Sequence, residues 1–168
     1  MMSLSTATKP PCSRRSSEAL IELGLAPDAS RDRLRYEERL EDACAGTDFV
    51  QECATEREAL KVALFARVDA SLPPGVLLAS SSSALTVTKM QAQCRHPQHV
   101  VLGHPFNPPH LMPLVEIAGG EKTSEDAIDR ASGFYRALGK RLFASPRKSM
   151  GISLTGSRRL SPTRRSIF

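Results

Sequence analysis

His104 follows the apolar run "HVVLG", and Glu116 stands among Leu114, Val115 and Ile117, both within "GHPFNPPHLMPLVEIAGG" (103–120). An imidazole titrates near neutral pH, so a histidine at a strand end is suited to taking a proton from a hydroxyl. The ordinary alternative is a hydrogen-bonded structural histidine. A carboxylate inside an apolar strand costs several kcal/mol to bury unless a cation or donors meet it. On an edge strand the same glutamate would simply face water. "ECATE" (52–56), "SSSS" (80–83) and "GHPFN" (103–107) are further polar clusters at the ends of apolar runs. At least two of the four serines suit a plain strand-to-helix turn. His96, His99, His104 and His110 raise the question of a metal, but Pro97 breaks any helical context and no cysteine or carboxylate set accompanies them. No metal site is expected.

The elements that must position these clusters alternate along the chain. "RLRYE" (33–37) reads as a strand, "RLEDACAG" (39–46) as a brief helix ending at Gly46, and "DFVQEC" (48–53) as a strand. Residues 55–72 carry Leu60, Ala63, Leu64, Val68 and Leu72 at helical spacing, with Thr55 and Glu58 in a capping-box pattern. Pro73, Pro74 and Gly75 stop that helix, and "VLLAS" (76–80) follows as a buried strand. A short helix around 87–95, strands at 99–103 and 114–118, a helix over 124–140 with Ser124 as cap, and a strand at 141–145 complete the pattern. This rhythm predicts an α/β fold with right-handed crossovers and a mostly parallel sheet. Ligands of such sheets bind beyond the carboxyl ends of the strands, where the three polar clusters fall.

The 168 residues suffice for one domain with a real core. The net charge of +5 belongs to the ends: residues 1–17 and 147–168 contain no acid, whereas 18–146 hold all 18 acidic residues against 14 basic ones, a net −4. That distribution, with no aromatic pattern among the terminal arginines, argues against nucleic acid as partner. Cys12, Cys44, Cys53 and Cys94 form no CxxC pair and suit reduced thiols. No stretch reaches membrane-spanning length and no secretory signal is evident, so a cytoplasmic protein is expected.

"GHPFNPPHLMPLVEIAGG", preceded by "LLASSSSAL" and "DFVQECATEREALKVALF", resembles the 3-hydroxyacyl-CoA dehydrogenase family. Within it, the double proline and serine run are most similar to the branch holding L-carnitine dehydrogenase, L-gulonate 3-dehydrogenase and lambda-crystallin. The resemblance covers roughly 18–148. It implies a Rossmann-like, doubly wound NAD-binding domain and oxidation of a secondary alcohol to a ketone. His104 would be the base, Glu116 its orienting carboxylate, and Ser83 the hydrogen-bonding partner of the reacting oxygen. Glu56, Lys61 and Asn107 match cofactor-contacting positions; Lys61 alone would read as solvated, and Asn107 before Pro108 as a turn residue. The substrate would be a hydroxyacyl-CoA, carnitine or another hydroxy acid, and intact relatives are implied to be homodimers.

The chain also departs from that family. It has no GxGxxG turn, so the first βαβ unit and its pyrophosphate grip are expected to be lacking. After "ASPRK" the tail carries no helical apolar period and no acid, where the family continues into a helical domain that supplies most of the dimer interface. Out-of-frame translation from near codon 148 would account for it: read one base earlier, with permitted choices at the free codon positions, residues 154–159 give Ala-Asn-Arg-Leu-Ala-Ala. The expected organisation is a disordered basic N-terminus (1–17), a partial NAD-binding domain (18–148) and a disordered basic tail (149–168). Two functional readings follow. The chain is an NAD-dependent dehydrogenase that keeps its catalytic pair, or it is a catalytically inactive remnant or weak binding fragment. Loss of the phosphate grip and helical domain weighs toward the second for the chain by itself.

Overall fold

The apolar runs become a five-stranded sheet with its strands side by side in chain order: β1 (Phe49–Glu52), β2 (Leu77–Ser80), β3 (Val100–Pro105), β4 (Leu114–Gly119) and β5 (Arg141–Ala144). They are seen in a computed structural model that describes residue 35 and residues 37–144. Pairings β1–β2, β2–β3 and β4–β5 are parallel, and β3–β4 is antiparallel. The expected mostly parallel sheet is present, but not a crossover at every step. The eight residues 106–113, three of them proline, are too short for one, since a parallel return takes a dozen or more.

Helices cover both faces. Val50, Leu78, Val100, Leu102 and Ala118 pack on one side against α1 (Leu40–Cys44), α2 (Glu58–Ser71) and α3 (Val87–Met90) through Cys44, Phe65, Val68, Val87 and Met90. Leu77, Ala79, Val101, Val115 and Ile117 pack on the other against Ala127, Ala131 and Tyr135 of α4 (Glu125–Ala137). Burial on both sides is why the central strands read as continuous apolar runs.

Helix α2 differs from its sequence pattern. It begins at Glu58, with Arg57 as N-cap and no side-chain cap, so the Thr55–Glu58 box does not form. The carboxylate of Glu52 instead takes the Ala54 amide and holds the preceding turn. The buried face carries Lys61, Phe65, Val68 and Asp69, while Leu60 is 56% exposed and Ala63 is exposed. Pairing of Lys61 to Glu52 turns position 61 inward and rotates Leu60 out; Leu64, Val68 and Leu72 still pack as expected. In α4, Ser124 caps as predicted, accepting from the Ala127 amide. The strand expected at 33–37 lies largely outside the described residues; Arg35 and Glu37 are not in a strand.

Candidate active site

The β2–β3 ladder ends at Ser80–Leu102, so β3 runs on past the carboxyl end of β2 and carries His104 there. Across the antiparallel ladder His104 is the register partner of Glu116, and directly opposed residues share a face. Their side chains meet: His104 Nδ1 lies 3.5 Å from Glu116 Oε2, with the side chains 21% and 9% exposed. This is an ion-pair distance, and Nδ1 is buried with no hydrogen bond to any atom of the described residues. Such contacts are often long in unliganded enzymes and tighten around substrate. The Phe106 ring sits beside the imidazole, centroids 5.6 Å apart.

The serine run continues from the carboxyl end of β2, the strand beside β3. Ser80 and Ser82 are buried and structural: Ser80 Oγ donates to Glu52 Oε2 at 2.8 Å and accepts from Ser82 N at 3.1 Å. Ser82 Oγ donates to Glu56 and accepts from Leu85 N at 2.9 Å. Ser83 is exposed and lines a crevice with Leu85, Thr86, Leu102 and Ala118. Leu102 and Ala118 lie two residues from His104 and Glu116 along the same strands, so the crevice adjoins the pair.

A buried network beneath the loop was not legible as such in the sequence. Lys61 Nζ, 1% exposed, donates to both oxygens of Glu52 at 2.8 and 2.9 Å and lies 3.4 Å from Glu56 Oε2. Lys61 is therefore neither solvated nor open to a ligand; it sits under Glu56. The signal that could have revealed it is Glu52, a carboxylate ending an apolar strand nine residues before a lysine on the next helix. Glu56 remains 38% exposed. Burial works to raise its carboxyl, but the Ser82 hydroxyl, the Ala84 amide and the Lys61 ammonium outweigh it and hold the group below its ordinary value. Asn107 is exposed two residues past β3, at the cis Asn107–Pro108 bond. His104, Glu116 and the Ser83 crevice are thus adjacent, with Glu56 behind the serine loop and Asn107 on the loop after β3.

A mostly parallel sheet, helices on both faces and polar groups gathered at strand carboxyl ends define a Rossmann-like nucleotide-binding domain. Residues 12–145 match the family described as 3-hydroxyacyl-CoA dehydrogenase, NAD binding domain, and the chain belongs to that family. NAD is the nucleotide that this family's domain binds. The chain is 50% identical over 134 residues to L-carnitine dehydrogenase of Nocardiopsis dassonvillei, covering 80% of this chain and 41% of that protein. It is 52% identical over 121 residues to L-carnitine dehydrogenase of Streptomyces coelicolor, covering 72% and 38%. Among solved structures it resembles (S)-3-hydroxybutyryl-CoA dehydrogenase from Ralstonia eutropha, with TM-score 0.69 and 27% identity over 79% of this chain and 47% of that one. The chain spans about two fifths of the length of these carnitine dehydrogenases.

Proposed function

We propose that the chain serves NAD-dependent oxidation of a secondary alcohol, converting a 3-hydroxyacyl-CoA or a related hydroxy acid such as carnitine to its 3-keto product. The observation that carries this reading is the His104–Glu116 pair, 3.5 Å apart at the carboxyl end of β3. His104 takes the hydroxyl proton on Nε2, the nitrogen turned from Glu116. Glu116 fixes the ring through Nδ1 and stabilises the imidazolium that forms. Ser83, on the crevice wall, holds the reacting oxygen. Glu56 and Asn107, both open to solvent, are the groups that hold NAD, and Lys61 acts through Glu56. Bound NAD supplies the hydride acceptor. Similarity to the carnitine dehydrogenases makes carnitine the first substrate to try.

No helix among the described residues is long and apolar enough to cross a membrane. The unpaired thiols of Cys44, Cys53 and Cys94 fit a reducing cytoplasm. An inactive remnant is the weaker reading, because the family match runs through both members of the pair and the two still face each other. The test is a fluorescence titration with NADH, followed by NADH formation from NAD with L-carnitine or 3-hydroxybutyryl-CoA. Saturable binding and turnover that His104→Gln abolishes support the proposal. A wild-type chain that neither binds NADH nor oxidises either alcohol removes it.

A further inference from the structure

The carbonyl of Gly103, the residue before His104, is a junction of distant parts of the chain. Phe106 N donates to Leu114 O at 3.0 Å, and alternation along the ladder makes His104–Glu116 a hydrogen-bonded position as well. Gly103, lying between these positions, turns its carbonyl away from β4 and toward β2. No ladder partner meets it there, because β2 pairs only as far as Leu102. A side chain takes that place: Gln51 Nε2 of β1 donates to Gly103 O at 3.1 Å. The second proton of the same nitrogen goes to Ser81 Oγ at 2.7 Å, in the loop that carries Ser83.

Tyr135 of α4 completes the junction by donating its hydroxyl to Gln51 Oε1. The hydroxyl oxygen lies 3.5 Å from Gly103 O, but a phenol has one proton and serves one acceptor at a time. Both donors and the acceptor of Gln51 are engaged, which fixes the orientation of its amide. Gln51 itself is exposed, and a solvated amide would hold little unaided; Tyr135, 4% exposed, is its buried anchor. A Cβ on residue 103 would stand 1.9 Å from the Tyr135 hydroxyl, so glycine is what lets the phenol reach the strand backbone.

We propose that Gln51, anchored by Tyr135, is a positioning residue: one amide sets the backbone of His104 and the loop of Ser83 relative to each other. The inference rests on the His104–Glu116 reading above. It is tested in the full chain with Gln51→Ala and with Tyr135→Phe, which keeps the ring and removes only the hydroxyl. The readouts are the nitrogen NMR shifts of the His104 imidazole, the thermal midpoint, and kcat against KM. Both variants should move the Nδ1 resonance in the direction that Glu116→Gln moves it, and should lower kcat about tenfold or more with KM for NAD within about twofold. Lower thermal stability with unmoved His104 resonances overturns the positioning role, whether or not the chain turns over. Shifted resonances in a chain that oxidises no alcohol uphold the positioning role and discard the dehydrogenase reading. Gln51→Glu retains the acceptor for Tyr135 and loses both donors, so it should behave as Gln51→Ala; wild-type shifts in that variant would also overturn the proposal.

Discussion

Replacing Glu116 by glutamine preserves its shape and removes one charge, at a position 7% exposed and 3.5 Å from His104 Nδ1. When His104 has taken a proton, Coulomb attraction at that distance and an effective dielectric near 20 amounts to about 5 kcal/mol. A glutamine oxygen can accept from Nδ1–H once the contact tightens around substrate, which recovers about 1 kcal/mol. Solvent reaches the imidazole, 21% exposed, and screens a further part. The net loss is about 2–3 kcal/mol in the state where the proton has moved, which corresponds to a kcat about 30- to 150-fold lower. Cofactor binding involves no proton transfer, so Kd for NADH should stay within about twofold. The assay is steady-state NADH formation from the best alcohol, paired with NADH fluorescence titration of the same variant. Wild-type kcat in Glu116→Gln would refute the role of the carboxylate, and equal weakening of NADH binding would refute its confinement to the chemical step.

Several residues make independent predictions. His104→Gln should cost about 100- to 10,000-fold in kcat with NADH affinity retained, and a fully active variant excludes the proposed base. Glu52→Leu leaves Lys61 buried without its main partner and should cost about 3–5 kcal/mol in urea unfolding. Adding Lys61→Met should restore much of that loss; a single-variant cost below about 1 kcal/mol would mean that the pair is not the anchor of α2. Glu56 is depressed below its reference of 4.5, so the stability it contributes is complete above that pH and lost as pH falls through its lower folded value. The thermal midpoint of Glu56→Gln should therefore approach that of wild type in acid, and a gap that stays constant with pH would contradict this. Burial, with Asp69 nearby, pushes the Cys94 thiol up to about 12, and burial also raises Cys44, while Cys53 is exposed. Iodoacetamide at neutral pH should label Cys53 before either, and equal rates would show that buried Cys44 and half-buried Cys94 become accessible readily.

The five strands of the sheet were legible because burial on both faces leaves few polar interruptions, unlike the charged run at 33–37, where Arg35 and Glu37 are not in a strand; the Ser124 cap was legible because one hydroxyl makes it. The rotation of α2 was not. An apolar pattern gives no reason to place Lys61 in a core; its burial depends on Glu52, which belongs to another element. The antiparallel turn between β3 and β4 was in principle readable from the eight residues that join them. At the site, residue types singled out His104 and Glu116, but their meeting depends on a ladder register that only the fold specifies. The serine run shows the same limit: alike in sequence, Ser80 and Ser82 are buried on carboxylates while Ser83 borders the crevice. Gln51 gave no signal at all, since its partners lie 30, 52 and 84 residues away.

A kinetic cycle of wild type, His104→Gln, Glu116→Gln and the double variant probes the central claim most directly, with NADH formation read under saturating cofactor. If the carboxylate acts through the imidazole, the double variant is no slower than His104→Gln alone, because the second change removes a function already gone. Losses that multiply, each variant costing as much in the presence of the other as by itself, would show two independent groups and contradict the account.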